Sequence, residues 1–447
     1  MRLLYLTFMS YATAIEELGA IAPELYTKPD QPRRKFSLNE IGVLLQALGN
    51  PQKRVRAVLI AGTNGKGSTA ATLASILTAA GMRTGLYTSP HLERVNERIR
   101  IGDAEIEDEA FAKLYFRVQD AARKLLEVGK LPQLPSFFEV LTAQALLYFA
   151  EAGVDAAVLE VGMGGRLDAT NIVDPLVSVI TDISLDHTEW LGPTISAITR
   201  EKAGILRREG TLIALPQHPE ANQVLAEMAS DLKVRRVNTE AYLPRVGVAG
   251  PYLVEAMGAA IEVDSPLTGA HQQRNVALAI AAAVELASAH GIPITPESIA
   301  EGIKRTRWPG RLERVQKDGV EWILDVAHNP SGALALRAGL LDLMKGKRPG
   351  TLVFSCLRDK PASEMARILF PLFDQVILTP IRSPRATTMA ELEAAAKAVE
   401  SLAVSAGSVS EAMQWAEKRG QGGVVVVAGS VYLVGEARPF IAKGRFA

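Results

Sequence analysis

Short apolar segments recur along the chain, and each is followed by a small-residue turn and then by a helical pattern. Four of them lie in the first half of the chain: Ala57–Ala61, Val154–Val161, Leu176–Asp182 and Thr211–Leu215. Four more lie in the last third: Trp322–Ala327, Thr351–Leu357, Gln375–Pro380 and Val424–Ala428. Mostly apolar strands that alternate with helices are typical of parallel sheets covered by helices on both faces. The pattern therefore predicts an α/β fold.

The alternation breaks once, around Thr295–Arg311, where two prolines and a tryptophan interrupt it. A chain of 447 residues also exceeds the usual size of a single hydrophobic core. We therefore predict two domains, with a larger, mainly parallel-sheet domain at 1–308 and a smaller Rossmann-like α/β domain at 309–447. The linker between them is expected at about 296–311.

Composition and charge exclude several classes of partner. Lys plus Arg equals Asp plus Glu at 49 each, so no net charge attracts nucleic acid or an anionic membrane. No apolar run approaches the roughly 20 residues that cross a bilayer. The short stretch Met1–Met9 continues into a helical pattern over Tyr11–Leu25 rather than ending as a signal peptide would. The single cysteine, Cys356, cannot form an internal disulfide, so we expect a cytoplasmic protein.

The turn after the first predicted strand has the composition of a phosphate-binding loop. It consists of Gly62, Thr63, Asn64, Gly65, Lys66, Gly67 and Ser68. Glycines let backbone N–H groups approach phosphate oxygens, the lysine neutralises charge, and the dipole of the following helix favours an anion. The loop departs from the common G-x-x-x-x-G-K-[ST] pattern, because Ile60 occupies the first glycine position and a glycine separates the lysine from the serine. It indicates nucleotide binding rather than an ordinary turn, but it does not define a reaction.

Two side chains with metal-binding chemistry lie at the carboxyl ends of later predicted strands. Glu160 ends the second strand, and His187 follows the strand that ends at Asp182. The carboxyl ends of parallel strands meet at one edge of a sheet, where a carboxylate is well placed to hold Mg²⁺. The structural alternative is that Glu160 caps the next turn. Lys202, in the helical stretch Thr194–Ile205, would by itself be a surface lysine.

Together these segments resemble the folylpolyglutamate synthase family, which is related to the muramyl peptide ligases. Seven motifs occur in the family's order: GTNGKGS, YTSPHL, LEVGMGGRLDATN, SLDHTEWLG, HQQRNVALA, WPGRLE and LDVAHNP. The resemblance covers nearly the whole chain, from residue 36 to about residue 436. It implies a phosphate-loop ATPase domain and an ATP-dependent amide ligase that adds L-glutamate to folates through an acyl phosphate.

The resemblance also implies roles for individual residues. The expected ATP contacts are the seven loop residues with Asn275, Arg311 and Asp325. The expected magnesium positions are Ser89, Glu160, His187 and Lys202, the last carbamylated by CO₂ and therefore anionic. The expected pterin-side contacts are Phe137, Phe138, Leu167 and Asp168, and the expected glutamate contacts are His328 and Ser430. The expected catalytic residues are Lys66, His187, Lys202 and His328.

The alternative interpretations differ either in the molecule that accepts the amino acid or in the class of protein. A muramyl ligase carries an N-terminal domain before its phosphate loop, whereas only 61 residues precede Gly62 here. A regulatory P-loop NTPase would leave the second domain without a role. Within the family, the stretch Gly165–Asn171 is more similar to bifunctional enzymes that also add the first glutamate to dihydropteroate. We therefore expect both activities, a monomer, and folate or dihydropteroate, glutamate, ATP and Mg²⁺ as the molecules bound.

Overall fold

The computed structural model describes residues 10–21, 37–245, 247–248, 250–344 and 350–442. The expectation about a signal peptide at Met1–Met9 lies outside these residues. The start of the first predicted domain and the end of the second also lie outside them. The described part of the predicted N-terminal helix is Tyr11–Ala20 (α1). Ser10 caps this helix by accepting a hydrogen bond from the backbone N–H of Thr13 at 3.1 Å.

Eight strands form the larger sheet within the described residues. They are Ala57–Ala61 (β1), Thr84–Tyr87 (β2), Ile99–Ile101 (β3), Ala104–Glu105 (β4), Ala156–Glu160 (β5), Pro175–Ile180 (β6), Thr211–Ala214 (β7) and Arg235–Arg236 (β8). Their order is β4-β3-β2-β5-β1-β6-β7-β8. The pairings β2–β3 and β3–β4 are antiparallel, and the others are parallel. Every residue of the central β1 is fully buried, as its sequence AVLIA predicts for a strand covered on both faces.

Helices and a hairpin cover this sheet. The helices are Leu38–Ala47 (α2), Lys66–Ala79 (α3), Asp108–Glu127 (α4), Phe137–Ala152 (α5), Thr188–Leu191 (α6), Ile195–Ala203 (α7), Pro219–Asp231 (α8), Ala270–His290 (α9) and Pro296–Arg305 (α10). The hairpin pairs Tyr252–Ala256 (β9) with Ala259–Val263 (β10). Alternate residues of β1 belong to separate hydrophobic clusters, with Leu59 on one face and Ile60 on the other. The core of the larger domain therefore has two layers with the sheet between them.

The predicted linker 296–311 begins with a helix, which corrects that expectation. Pro296 is in the first turn of α10, where the missing N–H of proline costs nothing. α10 packs against α3, the helix that follows the phosphate loop. Ser75 donates a hydrogen bond to the Gly302 carbonyl at 2.6 Å, and a Cβ on Gly302 would lie 2.3 Å from the Cα of Ile76. The connection between the sheets is therefore shorter than predicted, and we propose the domain boundary near residue 309.

The second sheet has six strands in the described residues. They are Glu313–Lys317 (β11), Val320–Asp325 (β12), Thr351–Phe354 (β13), Gln375–Leu378 (β14), Ala403–Ser405 (β15) and Val424–Ala428 (β16), in the order β11-β12-β16-β13-β14-β15. Only β11 is antiparallel to its neighbour. Its helices are Pro330–Met344 (α11), Ala362–Leu369 (α12), Met389–Lys397 (α13), Val409–Arg419 (α14) and Val431–Ala442 (α15). The predicted two-domain α/β class is confirmed. Across the described ranges, no helix has the length and apolar composition of a membrane span.

Candidate active site at the junction of the two sheets

The loops after four neighbouring parallel strands meet at one edge of the larger sheet. Ser89 follows β2, Glu160 ends β5, the phosphate loop follows β1 and His187 follows β6. The loop after β12 in the second sheet reaches the same place. Residues of both domains therefore line one cavity of about 230 Å³. The predicted residues that line it are Gly62, Thr63, Asn64, Gly65, Lys66, Gly67, Ser89, Glu160, His187, Lys202, Asn275, Arg311, Asp325 and His328.

Two glycines give the phosphate loop its shape. Gly62 and Gly65 have φ values of +149° and +87°, which residues with a Cβ adopt only with strain. A Cβ on Gly62 would lie 1.8 Å from Thr181 Oγ1, and one on Gly65 would lie 2.1 Å from Asn275 Oδ1. The loop is also tied to the end of β6, because the Asp182 carbonyl accepts hydrogen bonds from the N–H groups of the second and third loop residues at 2.9 and 3.2 Å. Its backbone is therefore held in place before any nucleotide binds.

Packing explains the extra glycine in this loop. A Cβ on Gly67 would lie 2.8 Å from Trp308 Cζ2, so the tryptophan occupies the space that a side chain would need. Trp308 belongs to the segment that joins the two sheets. The following residue, Ser68, is buried, and its Oγ has no hydrogen-bond partner among the described residues. A buried hydroxyl in this position suits a phosphate-bound metal.

Two lysines contact the same backbone carbonyl. The Nζ atoms of Lys66 and Lys202 donate hydrogen bonds to the Gly62 oxygen at 3.1 and 2.7 Å. Burial lowers the pKa of both amines, and for Lys202 burial together with the charge of Lys66 brings the pKa to about 7. Lys202 is therefore a buried residue and not the surface lysine that its sequence neighbours suggest. Lys66 also donates to the Thr63 carbonyl at 3.1 Å. Two buried cations that share an acceptor repel each other, so an anion between them would be stabilising.

The other predicted magnesium positions, Ser89, Glu160 and His187, line the same cavity as these lysines. Glu160 Oε2 accepts a hydrogen bond from the Ser89 N–H at 3.1 Å. Burial raises the pKa of Glu160, although the charge of Lys66 opposes the rise. His187 has a left-handed backbone, and burial lowers its pKa to about 3, so the imidazole is neutral at neutral pH. A neutral imidazole and a carboxylate are both competent ligands.

The donor set is compatible with Mg²⁺ but does not form a preassembled metal cluster. In the described part of the chain, no three His, Cys, Asp or Glu side chains are grouped as a metal site. The predicted set draws only Glu160 and His187 from these residue types, so it would need the serine hydroxyls, a carbamylated Lys202 or bound phosphate to complete it. The magnesium ligands stay a prediction.

The second domain contributes two charged side chains to the cavity, the buried Asp325 and the half-buried Arg311. Asp325 ends β12, and its carboxylate accepts hydrogen bonds from the N–H groups of Leu312 at 2.9 Å and Ala327 at 2.8 Å. These bonds tie the backbone just before β11 and the loop just after β12 to one carboxylate. Burial lowers the pKa of the neighbouring Arg311 guanidinium, while Asp325 partly opposes this shift. Arg311 therefore presents a poorly hydrated positive charge, which suits contact with a phosphate.

A polar cluster that the sequence did not reveal spans the junction. Asp186 Oδ1 accepts a hydrogen bond from Lys360 Nζ at 2.5 Å, and its Oδ2 accepts one from Asn329 Nδ2 at 3.0 Å. His328 Nε2 lies 3.7 Å from the same carboxylate. Burial would raise the pKa of Asp186, but the contact with His328 and the positive charge of Lys360 hold it well below its usual range. Asp186 directly precedes His187, and Asn329 directly follows His328, so their positions beside predicted site histidines could have identified them. Nothing in the sequence identified Lys360 as a site residue.

A second, smaller cavity contains part of the predicted pterin contacts. Its volume is about 120 Å³, and Phe138, Leu167 and Asp168 line it. Asp168 already has partners, because Oδ2 accepts from the Met163 N–H at 3.0 Å and Oδ1 accepts from the N–H of Thr170 at 3.0 Å. In this structure it caps the following turn, and burial raises its pKa against these hydrogen bonds. Its role with a pterin stays a prediction.

Two predicted substrate contacts lie beside the cavities rather than in their linings. Phe137 is half-buried, and the Arg98 guanidinium carbon lies 5.1 Å from the centre of its ring. Ser430 is buried, and its hydroxyl accepts a hydrogen bond from the Tyr432 N–H at 3.1 Å, while its neighbour Val431 lines the main cavity. Their predicted contacts with substrate are therefore not tested by the geometry.

Comparison with known proteins identifies the class. Residues 60–283 match the Mur ligase middle domain, and residues 310–431 match the Mur ligase, glutamate ligase domain. The fold and the site are thus those of an ATP-dependent ligase of the Mur type. Folylpolyglutamate synthase of Lacticaseibacillus casei is 36% identical over 415 residues, covering 90% of this chain and 94% of the relative. The chain belongs to the folylpolyglutamate synthase family.

Other relatives have the same architecture over nearly their full length. Dihydrofolate synthase/folylpolyglutamate synthase of Bacillus subtilis is 35% identical over 422 residues, with coverage of 90% and 94%. Mycobacterium tuberculosis folylpolyglutamate synthase, solved in complex with ADP and AMPPCP, has a TM-score of 0.83 at 33% identity and covers 92% of this chain and 96% of its own. FolC of Escherichia coli, solved with DHPP and ADP, has a TM-score of 0.81 at 30% identity, with coverage of 96% and 97%.

Proposed function

We propose that the enzyme uses ATP to add L-glutamate to folates and also to dihydropteroate. The observation that carries this proposal is the cavity at the junction, where a phosphate loop from one sheet meets Arg311, Asp325 and His328 from the other. Relatives solved with folate and AMPPCP, or with DHPP and ADP, support both acceptors. A regulatory NTPase would not need phosphate-binding chemistry shared between two domains.

The chemistry has two steps. First, an oxygen of the acceptor carboxylate attacks the γ-phosphorus of ATP, so that an acyl phosphate forms and ADP leaves. Lys66 and Arg311 line the same cavity, where they would stabilise the negative charge that develops on the phosphate oxygens. Next, the glutamate nitrogen attacks the acyl carbon, phosphate leaves, and the amine loses a proton. Water would hydrolyse the acyl phosphate, so a site enclosed between two domains protects it.

The surrounding cavities suggest where each substrate enters. The smaller cavity shares Met163 with the main one, so an acceptor in it can direct its carboxylate toward the phosphate loop. A third cavity, of about 730 Å³, shares Asp186, His187 and Ser331 with the main one. Two separate entrances to one cavity would bring the acceptor carboxylate and the glutamate amine to the same phosphate.

Mg²⁺ and a carbamate complete the proposed site. Ser89, Glu160 and His187 would hold the metal, which when bound neutralises phosphate charge. We propose that Lys202 is carbamylated, since its pKa of about 7 leaves much of the amine neutral and reactive toward CO₂. The resulting anion would replace the repulsion between two lysines by an attraction. We also propose a cytoplasmic monomer, and the buried Cys356 thiol, with a pKa raised to about 11 by burial, suits a residue without redox function.

Paired assays test this function. ATP turnover is measured with dihydropteroate and, separately, with a reduced folate monoglutamate, each with and without L-glutamate. Glutamate-dependent ADP release and an amide product are expected with both acceptors. Turnover that ignores glutamate would refute the ligase, and product from only one acceptor would refute the second activity.

A further inference from the structure

Asn329 makes two different sets of hydrogen bonds with the two ends of its side chain. It is 1% exposed and directly precedes α11, which begins at Pro330. Its Oδ1 accepts a hydrogen bond from the Gly332 N–H at 2.8 Å. This is the geometry of an N-cap, with proline at the first helical position. Capping alone would account for an asparagine here.

The amide nitrogen does something that a cap does not require. Asn329 Nδ2 crosses from the second domain to the first, where it donates to Asn64 Oδ1 at 3.1 Å and to Asp186 Oδ2 at 3.0 Å. Both of its N–H groups are thereby used. Asn64 is the third residue of the phosphate loop, and Asp186 precedes His187 in the loop after β6. One side chain of the second domain thus holds both phosphate-site loops of the first.

The partners of this amide are themselves well placed. Asn64 directs its own Nδ2 toward Ser184 Oγ at 3.3 Å, in the loop that contains Asp186. Asp186 is also paired with Lys360, which is 4% exposed at its side chain. A hydrogen bond to a carboxylate in such a dry environment is stronger than one in water. The amide therefore joins an existing network rather than an isolated polar group.

We propose that Asn329 is a positioning residue that sets the phosphate loop only when the second domain is docked on the first. This inference rests on the ligase function proposed above. When the domains separate, Asn64 and Asp186 lose these donors, and the loop loses a support on the side that faces the cavity. When they dock, Arg311, Asp325 and His328 arrive together with the support. The chemistry is thereby coupled to domain closure.

Substitutions can separate the hydrogen bonds from Asn329 Nδ2 to the first domain, called the bridge here, from the N-cap of α11, called the cap. In Asn329→Ser the hydroxyl still caps α11, because serine is as good an N-cap as asparagine, but it is too short to reach Asn64 or Asp186. Asn329→Ala removes both functions. Asn96→Ala is a matched control, since Asn96 is also 1% exposed and donates to the Ile106 carbonyl at 2.7 Å, within the larger domain.

The expected results differ for bridge and cap. Asn329→Ser should keep more of the wild-type melting temperature than Asn329→Ala, because the cap remains, while kcat falls about tenfold or more, because two buried hydrogen bonds to the phosphate-site loops are lost. ATP affinity, measured by titration without acceptor, should change much less than kcat. Asn329→Ala should lose both stability and kcat, whereas Asn96→Ala should lose stability but keep kcat. A wild-type kcat in Asn329→Ser would overturn the proposal and leave Asn329 as a cap alone.

A double substitution checks that the effect passes through the phosphate loop. If Asn329 acts through Asn64, the kcat of Asn64→Ala/Asn329→Ser should fall little below that of Asn64→Ala. Effects that multiply would show that the two side chains act independently, which contradicts the proposal. Glutamate-dependent turnover of the wild type in the same assay tests the ligase function separately, so the two failures are distinguishable.

Discussion

Lys202 is the residue at which one covalent change would most alter the electrostatics of the site. It is 4% exposed, and its Nζ shares the Gly62 carbonyl with Lys66. The lysine ammonium first loses a proton, and the neutral amine nitrogen then bonds to the carbon of CO₂ and releases a second proton, so that a cation becomes an anion. We predict that the enzyme loses activity in CO₂-free buffer and regains it when bicarbonate is added.

The depressed pKa determines how readily this modification forms. With a pKa of about 7, about three quarters of Lys202 is neutral at pH 7.5, against about one part in a thousand for an ordinary lysine. Only the neutral amine reacts with CO₂. Burial therefore raises the reactive fraction by a factor of several hundred, and activity should fall as the pH drops below about 7.

The lowered pKa of Lys202 also predicts how the stability of the unmodified enzyme depends on pH. The folded pKa of about 7 lies below the unfolded value of 10.5, so between these pH values the unfolded chain holds a proton that the folded chain lacks. The free energy of unfolding must then rise with pH across this window, and the full penalty for burying the amine applies below pH 7. The penalty is about 5 kcal/mol, at about 1.4 kcal/mol per unit. Lys202→Met, compared in CO₂-free buffer, should lack this pH dependence.

Spectroscopy and variants test the modification directly. Active enzyme supplied with carbon-13 bicarbonate should show a carbamate signal that is absent from Lys202→Ala. Short carboxylic acids should partly restore Lys202→Ala, since they place an anion in the vacated space. Lys202→Arg should stay inactive, because it keeps the positive charge. An active enzyme without a carbamate signal, or full activity in Lys202→Arg, would refute the reasoning.

Three further predictions concern the phosphate site. Lys66→Ala should lose ligation while its thermal unfolding stays close to wild type, and normal turnover in the folded variant would contradict its assigned role. Glu160→Ala and His187→Ala should each lower kcat severely, with partial recovery in excess Mg²⁺; near-wild-type rates would mean that both are structural. Gly65→Ala should lose about 2–4 kcal/mol of stability and most ATP affinity, because backbone strain at φ +87° adds to a 2.1 Å clash. Gly81→Ala, at φ +82° in open space, is its control and should show the strain alone.

Local sequence signals were reliable where the cause of a structure is itself local. The strand Ala57–Ala61 was predicted with its observed bounds, because an unbroken apolar run before a glycine turn leaves little choice. The helix after it begins at Lys66, within the predicted phosphate loop. The predicted linker was wrong over Pro296–Arg305, since a proline that breaks a helix and one that begins a helix have the same sequence appearance.

The sequence by itself determined the α/β class, the phosphate loop and, through its ordered motifs, the family of ligases. It also placed Glu160 and His187 at strand ends, which brings them to one sheet edge in any parallel arrangement. Only the tertiary structure decided that Lys202 is buried, because the charged residues directly before it, Arg200 and Glu201, are typical of a helix surface. Only the structure brought Asp186 to Lys360, which is 174 residues away, and Asn64 to Asn329, which is 265 residues away. Such contacts depend on how two separately folded sheets dock, and no periodicity or local motif encodes that geometry.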